Sequence, residues 1–302
     1  MNISNYINRL DKENLVVFLF HGVIRNNSFK VRNYNRKHIL DSEFSELLRG
    51  LNEYGTPFSI EELVRGVPFP PRSFIISFDD GFENNYSIAA PILDDLKIPA
   101  VFYITSNFVD KNMMSWIDRI DFALEETHKQ ILNLSFFDEP ISVATNEQKK
   151  DFLIRIRNLA KGDKEFFLKK EMYISEIFLA CGIKEIFSND SPVDLKLSWA
   201  QVAELNSNSL FTIGGHTHTH PIMSYLNVSE LEYEIDTCLD HLKIAGLNDL
   251  SHFSYPEGLD HCYNENVINA LKQKNITCCP TAIDGVNGPN TDLFHLKRVT
   301  VV

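Results

Sequence analysis

Two short segments hold the residue types best suited to chemistry: Ser77-Phe78-Asp79-Asp80-Gly81 and Gly214-Gly215-His216-Thr217-His218-Thr219-His220-Pro221. The first sets two carboxylates side by side, and the second sets imidazoles four residues apart. Two histidines and one carboxylate form an open ligand set, which holds a divalent cation and leaves room for water and substrate. If the two segments meet in space, the chain carries the centre of a metal-dependent hydrolase.

Adjacent residues within a strand point to opposite faces, so Asp79 and Asp80 share a site only if the chain turns there, and Gly81 permits that turn. The pair then sits at the C-terminal end of a strand, where α/β enzymes place their chemistry. Taken alone, Asp-Asp-Gly is also an ordinary turn with solvated carboxylates. The histidine-rich stretch is equally compatible with a surface loop, and Gly214-Gly215 before it and Pro221 after it point to irregular backbone. His218 falls outside the chelating pair and reads as a wall residue.

Positioning these segments requires strands, and the apolar runs supply them at residues 15–20, 74–78, 100–105, 210–213, 252–255, 276–280 and 296–302. The runs alternate with helical patterns, which argues for parallel strands joined by helical crossovers. They are nearly all apolar rather than alternating, as strands covered on both faces are. After Asp41-Ser42, the positions Phe44, Leu47, Leu48 and Leu51 follow helical spacing, with Gly55 as a stop. Ser198 with Gln201, and Ser229 with Glu232, each read as a capping box. The second leads a stripe of Leu231, Ile235, Cys238, Leu239 and Leu242 that ends at Gly246.

The segment from about 110 to 196 lacks a clear strand and reads as a helical insertion. Its two main helices are expected at about 147–160 and 164–181, the latter stopping at Gly182. The fold class expected is therefore α/β, with mainly parallel strands and a helical insertion in a single domain spanning 1–302. No internal repeat or low-complexity tract interrupts it.

Composition narrows the function classes. At 302 residues and 34.7 kDa the chain has length for a sizeable core, and a single α/β barrel of this size is common. A mean hydropathy of -0.16 and 44% hydrophobic residues describe an ordinary globular protein. The net charge of -12, with no Lys/Arg-rich run to offset it, lacks the electrostatic footprint of a nucleic-acid binder. The early apolar run 15–20 is too short to span a membrane, and Arg9, Asp11, Lys12 and Glu13 precede it where a signal peptide would be apolar. A cytoplasmic location is the expectation. The five cysteines, including Cys278 and Cys279, suit reduced core positions better than a disulfide framework.

The motifs together resemble those of the polysaccharide deacetylases of the NodB-homology group, carbohydrate esterase family 4. Ser77-Phe78-Asp79-Asp80-Gly81 is similar to that family's T-F-D-D-G, and His216-Thr217-His218-Thr219-His220 matches its H-[ST]-x-x-H. Phe253-Ser254-Tyr255-Pro256-Glu257-Gly258 resembles the third motif. The order is the family's, and the resemblance covers most of the chain outside the insertion.

That resemblance implies a distorted (β/α) barrel and a divalent metal held by Asp80, His216 and His220. It assigns Asp79 as base and the Tyr255 backbone amide as an oxyanion donor. Zinc is the first expectation, with cobalt, nickel, manganese or iron acceptable to the same ligands. The implied reaction removes an N-acyl group, N-acetyl first among them, from an amino sugar, and the substrate expected in the cytoplasm is a precursor of a surface glycan. Two departures matter. No late motif supplies the family's acid histidine, whereas Phe18-Leu19-Phe20-His21-Gly22-Val23 resembles the early strand-end histidine of circularly rearranged members, so His21 is expected as the acid with His295 in reserve. Ser254 stands where many members carry an arginine that holds the catalytic aspartate. Arg298 is expected either to take that part or to form a surface salt bridge. Glu257 replaces a common tyrosine. A metal- or sugar-binding protein without catalysis, an amidohydrolase on a small cyclic amide and, less consistent with the acidic balance, a metal phosphoesterase are the rival readings.

Overall fold

The apolar runs become strands of one parallel sheet. Val16–Phe20 lies between Val299–Thr300 and Ser73–Phe78, which pairs in turn with Ala100–Ile104, and that strand with Phe211–Gly215. Thr56–Pro57 adds a short parallel partner to Ser73–Phe78. The computed structural model describes residues 1–248 and 250–302. It falls into two compact units, one of Met1–Arg25, Lys37–Asn112 and Lys196–Val302, the other of Asn26–Arg36 and Met113–Leu195.

Within the first unit every residue of Val16–Phe20, Ser73–Phe78 and Ala100–Ile104 is buried, as expected of a sheet covered on both faces. The period of two separates the faces. Phe18, Phe20, Phe74, Ile76, Phe78 and Phe102 pack with the surrounding helices, among them Asp41–Tyr54 through Phe44, Leu47, Leu48 and Leu51. Val17, Ile75, Val101 and Tyr103 form a second cluster on the other face. Moving along that inner face toward the strand ends, Ile75 gives way to Ser77 and then Asp79. The apolar floor thus ends in a polar mouth.

The fold is the α/β barrel of mainly parallel strands that the resemblance implies, and it is distorted on one side. Residues 252–255 and 276–280, expected as strands, hold only single parallel bridges, Gly215 with Phe253 and His252 with Cys278. Pro256 and Pro280 have no N–H to give a ladder. On either side of Pro280, the amides of Cys279 and Thr281 donate to Leu293 O and Leu296 O. The terminal strand shortens to Val299–Thr300, and a small parallel pair, Gly22–Ile24 with His38–Leu40, follows the first strand without a clear sequence signal.

Helix boundaries follow the capping logic with one correction. Ser198 caps Trp199–Ser207 with Gln201, but the next capping box is Asn227 with Glu230, so Val228–Ile244 starts earlier than the Ser229–Glu232 reading.

The second unit is helical as expected, with Trp116–Glu126, Asn146–Gly162 and Lys170–Cys181 burying Ile120, Leu124, Phe152, Ile156, Ile174 and Ile177. The expected helix 164–181 is split at Lys169 into Lys164–Leu168 and Lys170–Cys181, and Gly182 ends it in the left-handed conformation. A short antiparallel pair, Ile131–Leu132 with Ile141–Ser142, corrects the expectation of no strand. Residues 26–36 also belong to this unit, which sequence spacing did not reveal. Among the described residues no helix is long and apolar enough to cross a membrane.

Candidate metal centre and active site

The turn after Ser73–Phe78 is what lets both aspartates face one space. Asp79 extends the pairing by donating its amide to Phe20 O at 3.1 Å. Asp80 then takes φ +77° and Gly81 φ +84°, a left-handed pair that Asp tolerates and Gly favours. Thr217 and His220 have positive φ as well, at 64° and 61°. Backbone in this sparsely populated region persists where surrounding contacts over-determine it, and here they do.

The contacts around the histidine loop are numerous. His216 donates its amide to Ile104 O, the Thr105 hydroxyl bonds His216 O, and the Ser106 and Asn107 amides bond Thr217 O and His218 O. The Thr217 hydroxyl accepts from the His220 amide at 3.0 Å. Glu234, buried on Val228–Ile244, accepts from the amides of His218 and Thr219 at 2.8 and 2.7 Å and from the Thr219 hydroxyl at 2.5 Å. His218 itself bonds the Ser106 hydroxyl through Nδ1 and contributes no group to the chelating pair.

The result is one cluster. Single ligand atoms of Asp80, His216 and His220 lie within 4.8 Å of one another. Nε2 of His220 is 3.3 Å and Nε2 of His216 is 3.7 Å from Oδ1 of Asp80. His216 turns Nε2 inward because its Nδ1 is tied to Ser254, 2.9 Å from the carbonyl and 2.6 Å from the hydroxyl. Orienting an imidazole through its other nitrogen is how metal-binding histidines are held. Nδ1 of His220 is buried without a hydrogen-bond partner, and its ring stacks on Phe108. The donor set, two nitrogens and one carboxylate oxygen in a buried, pre-held arrangement, fits a divalent cation.

Asp79 is gripped by Arg298, whose Nη1 and Nη2 each donate to one carboxylate oxygen at 2.8 Å. Nε of Arg298 donates to Thr281 O, and Nη1 lies 3.4 Å from the Ser77 hydroxyl. Arg298 is fully buried, so the surface salt-bridge reading does not apply. Burial opposes the charged form of Asp79, but the Arg298 guanidinium, helped by His216, holds its carboxyl below the ordinary value. Burial likewise opposes a charged Asp80, and Lys37 and His220 hold it well below. Burial pulls His216 down, whereas the hydrogen bond that His220 donates to Asp80, with the charge of that carboxylate, overrides burial and raises His220.

His21 lies within electrostatic reach of the centre, since the charges of Asp80 and Asp79 both act on its ring. The residue is partly accessible, but the protein atoms packed around its ring make desolvation dominant and bring it down to about 4. Asn85 anchors it by bonding His21 O at 2.8 Å. His295 is exposed and hydrogen-bonds the Tyr263 hydroxyl. Tyr255 is buried, stacked on Tyr263, with its amide 3.4 Å from Pro280 O, a length at which a hydrogen bond is weak.

Spacing alone missed Lys37 and Glu234. Lys37 had no signal, lying in an irregular loop. Glu234 had one: it sits between Leu231 and Cys238 on the inward stripe of its helix, where a carboxylate needs a reason.

Comparison with known proteins agrees with this fold. The chain is similar to the structure of IcaB from Ammonifex degensii, at 18% identity and TM-score 0.62, covering 97% of this chain and 94% of that one. It is similar to the Streptococcus pyogenes deacetylase PplD in complex with acetate, at 14% and 0.58, covering 96% and 93%. The deacetylase domain of BpsB from Bordetella bronchiseptica gives 16% and 0.57, covering 97% of each. These likenesses concern the fold. Among curated proteins none matches the chain significantly. The polysaccharide deacetylase family model matches residues 66–279, well over half the chain and all three motifs. The chain belongs to the polysaccharide deacetylase family and is a hydrolase of that type.

Proposed function

We propose that the chain removes an N-acyl group, N-acetyl first among them, from an amino-sugar unit of a glycan or a glycan precursor, using one divalent cation held by Asp80, His216 and His220. The observation that carries this reading is the cluster of those three ligand atoms within 4.8 Å, beside an Asp79 clamped by Arg298. Zinc is the cation proposed, because two imidazoles and a carboxylate suit it. Such a cation, when bound, polarises the acyl carbonyl and acidifies a water molecule.

Asp79 accepts the proton of the attacking water. Arg298 keeps it ionised for that task, and each of its oxygens retains a second lone pair beyond the one given to the guanidinium. Negative charge grows on the carbonyl oxygen as the water adds, and the Tyr255 amide is the proposed donor. Its long bond to Pro280 leaves it only weakly committed elsewhere, and a donor aimed at developing charge contributes about 10²-fold or more in rate. His21 starts neutral, because burial depresses it. It takes up a proton during the reaction and passes it to the departing amine, which leaves poorly as an anion.

The test is acetate release by the purified protein from a panel of N-acetylated monosaccharides, N-acetylated sugar oligomers and small cyclic amides, with metal content measured on the same sample. Acetate from a sugar supports the proposal. Hydrolysis of the cyclic amides alone, or sugar binding with no acetate at any metal loading, overturns it.

A further inference from the structure

Among the described residues a further cation touches the centre: Nζ of Lys37 lies 3.0 Å from Oδ2 of Asp80. We propose that Lys37 is a positioning residue that confines Asp80 to ligation through a single oxygen. The inference rests on the metal-centre reading above and adds to it a reason why the two neighbouring carboxylates behave differently.

Each aspartate has its own cation, and the two cations differ in shape. Arg298 presents a planar fork and engages both oxygens of Asp79. Lys37 presents a compact ammonium, a point charge, and engages Oδ2 of Asp80, while Oδ1 faces the imidazoles of His216 and His220. The fork thus holds Asp79 as a fixed carboxylate beside the centre. The point charge leaves Asp80 one oxygen to offer.

Lys37 is held for this part. Its side chain is only 13% exposed, and its ammonium lies 4.7 Å from the centroid of the Phe82 ring, a cation–π distance. Phe82 directly follows the Asp80-Gly81 turn and is fully buried. The same turn that aims Asp80 therefore also seats the cation that restrains it.

The consequence concerns coordination. A carboxylate with both oxygens available can chelate one ion through both, which fills a position that water or substrate needs in an open catalytic site. A charge-assisted bond to one oxygen opposes that. Lys37 also offsets the charge that Asp80 offers, so it keeps affinity for the cation lower than the three ligands alone would give.

The experiment measures zinc affinity of the full chain by competition with a chromophoric chelator, beside thermal melting of the metal-free protein and kcat on the best acetylated sugar. Lys37→Met should bind zinc about tenfold tighter and lose about tenfold or more in kcat, the usual scale for groups that orient a ligand. Lys37→Arg should bind zinc about tenfold weaker, because it sets a second fork across the ligating carboxylate. Zinc affinity unchanged or weaker in a Lys37→Met protein that melts like the unaltered chain overturns the proposal. If Lys37→Met does not fold, Lys37→Gln carries the same expectation. Absence of zinc binding by the unaltered chain would instead remove the metal-centre reading, and this proposal with it.

Discussion

Arg298 and Asp79 stand 219 positions apart in the chain and meet as a buried two-point pair at 2.8 Å. The strand Val299–Thr300 makes this possible, because pairing with Phe18 and Leu19 brings the preceding residue alongside the strand that leads into Asp79. Deleting one partner of a buried pair leaves a charge without compensation, which costs about 3–5 kcal/mol. Arg298→Ala should lose stability on that scale by denaturant midpoint, and Arg298→Lys, which keeps charge but not the fork, should lose less. Because the folded carboxyl of Asp79 lies below its ordinary value of 3.8, its contribution is complete above that pH and is lost as pH falls through the lower, folded value. Arg298→Ala should weaken this acid dependence, and an unchanged profile would show that Arg298 is not its source.

The two aspartates should separate by assay. Asp79→Asn is expected to keep zinc at one ion per chain while kcat falls by about 10²-fold or more. His216→Ala should lose zinc in the same measurement. The opposite pattern would exchange the parts proposed for Asp79 and the ligand cluster.

His21 makes a prediction about pH in the metal-free protein. Its folded value of about 4 lies below the ordinary 6.5, so the unfolded chain binds this proton first as pH falls. The stability conferred by a neutral His21 is therefore present above about 6.5 and fades between there and about 4. His21→Asn should flatten that slope by up to about 1.4 kcal/mol per pH unit. In turnover, His21→Ala should retain zinc and lose about 10²-fold in kcat. Near-normal kcat would move the acid role to His295 or to water.

Glu234 should matter through the loop it clamps. Glu234→Ala strips acceptors from two amides and a hydroxyl and should weaken zinc binding about tenfold or more. Glu234→Gln should restore most of it, because its carbonyl can accept both amides while the Thr219 hydroxyl turns to accept from the amide nitrogen. Equal loss in both variants would mean that the negative charge, not the clamp, is what counts.

The strands 15–20, 74–78, 100–105 and 210–213 were legible because burial on both faces leaves an uninterrupted apolar run. The bridges at 252–255 and 276–280 were misjudged because the runs look the same where prolines prevent a ladder. The cap at Asn227 was misplaced because Ser229 offers the same chemistry two residues later. Within the site, residue type and spacing drew attention to Asp79, Asp80, His216 and His220 but left ordinary turn and loop readings open, and the motif resemblance supplied the parts expected of them. Lys37 and Glu234 were out of reach of spacing, because a cation or carboxylate acquires its meaning from what it touches.

By itself the sequence determined the parallel α/β pattern and the kinds of donor available, since periodicity and side-chain chemistry are local properties. Only the tertiary structure decided that the loop histidines share a space with Asp80, that Arg298 rather than Ser254 forks Asp79, and that Lys37 occupies one oxygen of Asp80. Those relationships join residues far apart in the chain, and they arise from the order in which strands pair and the left-handed turns that end them.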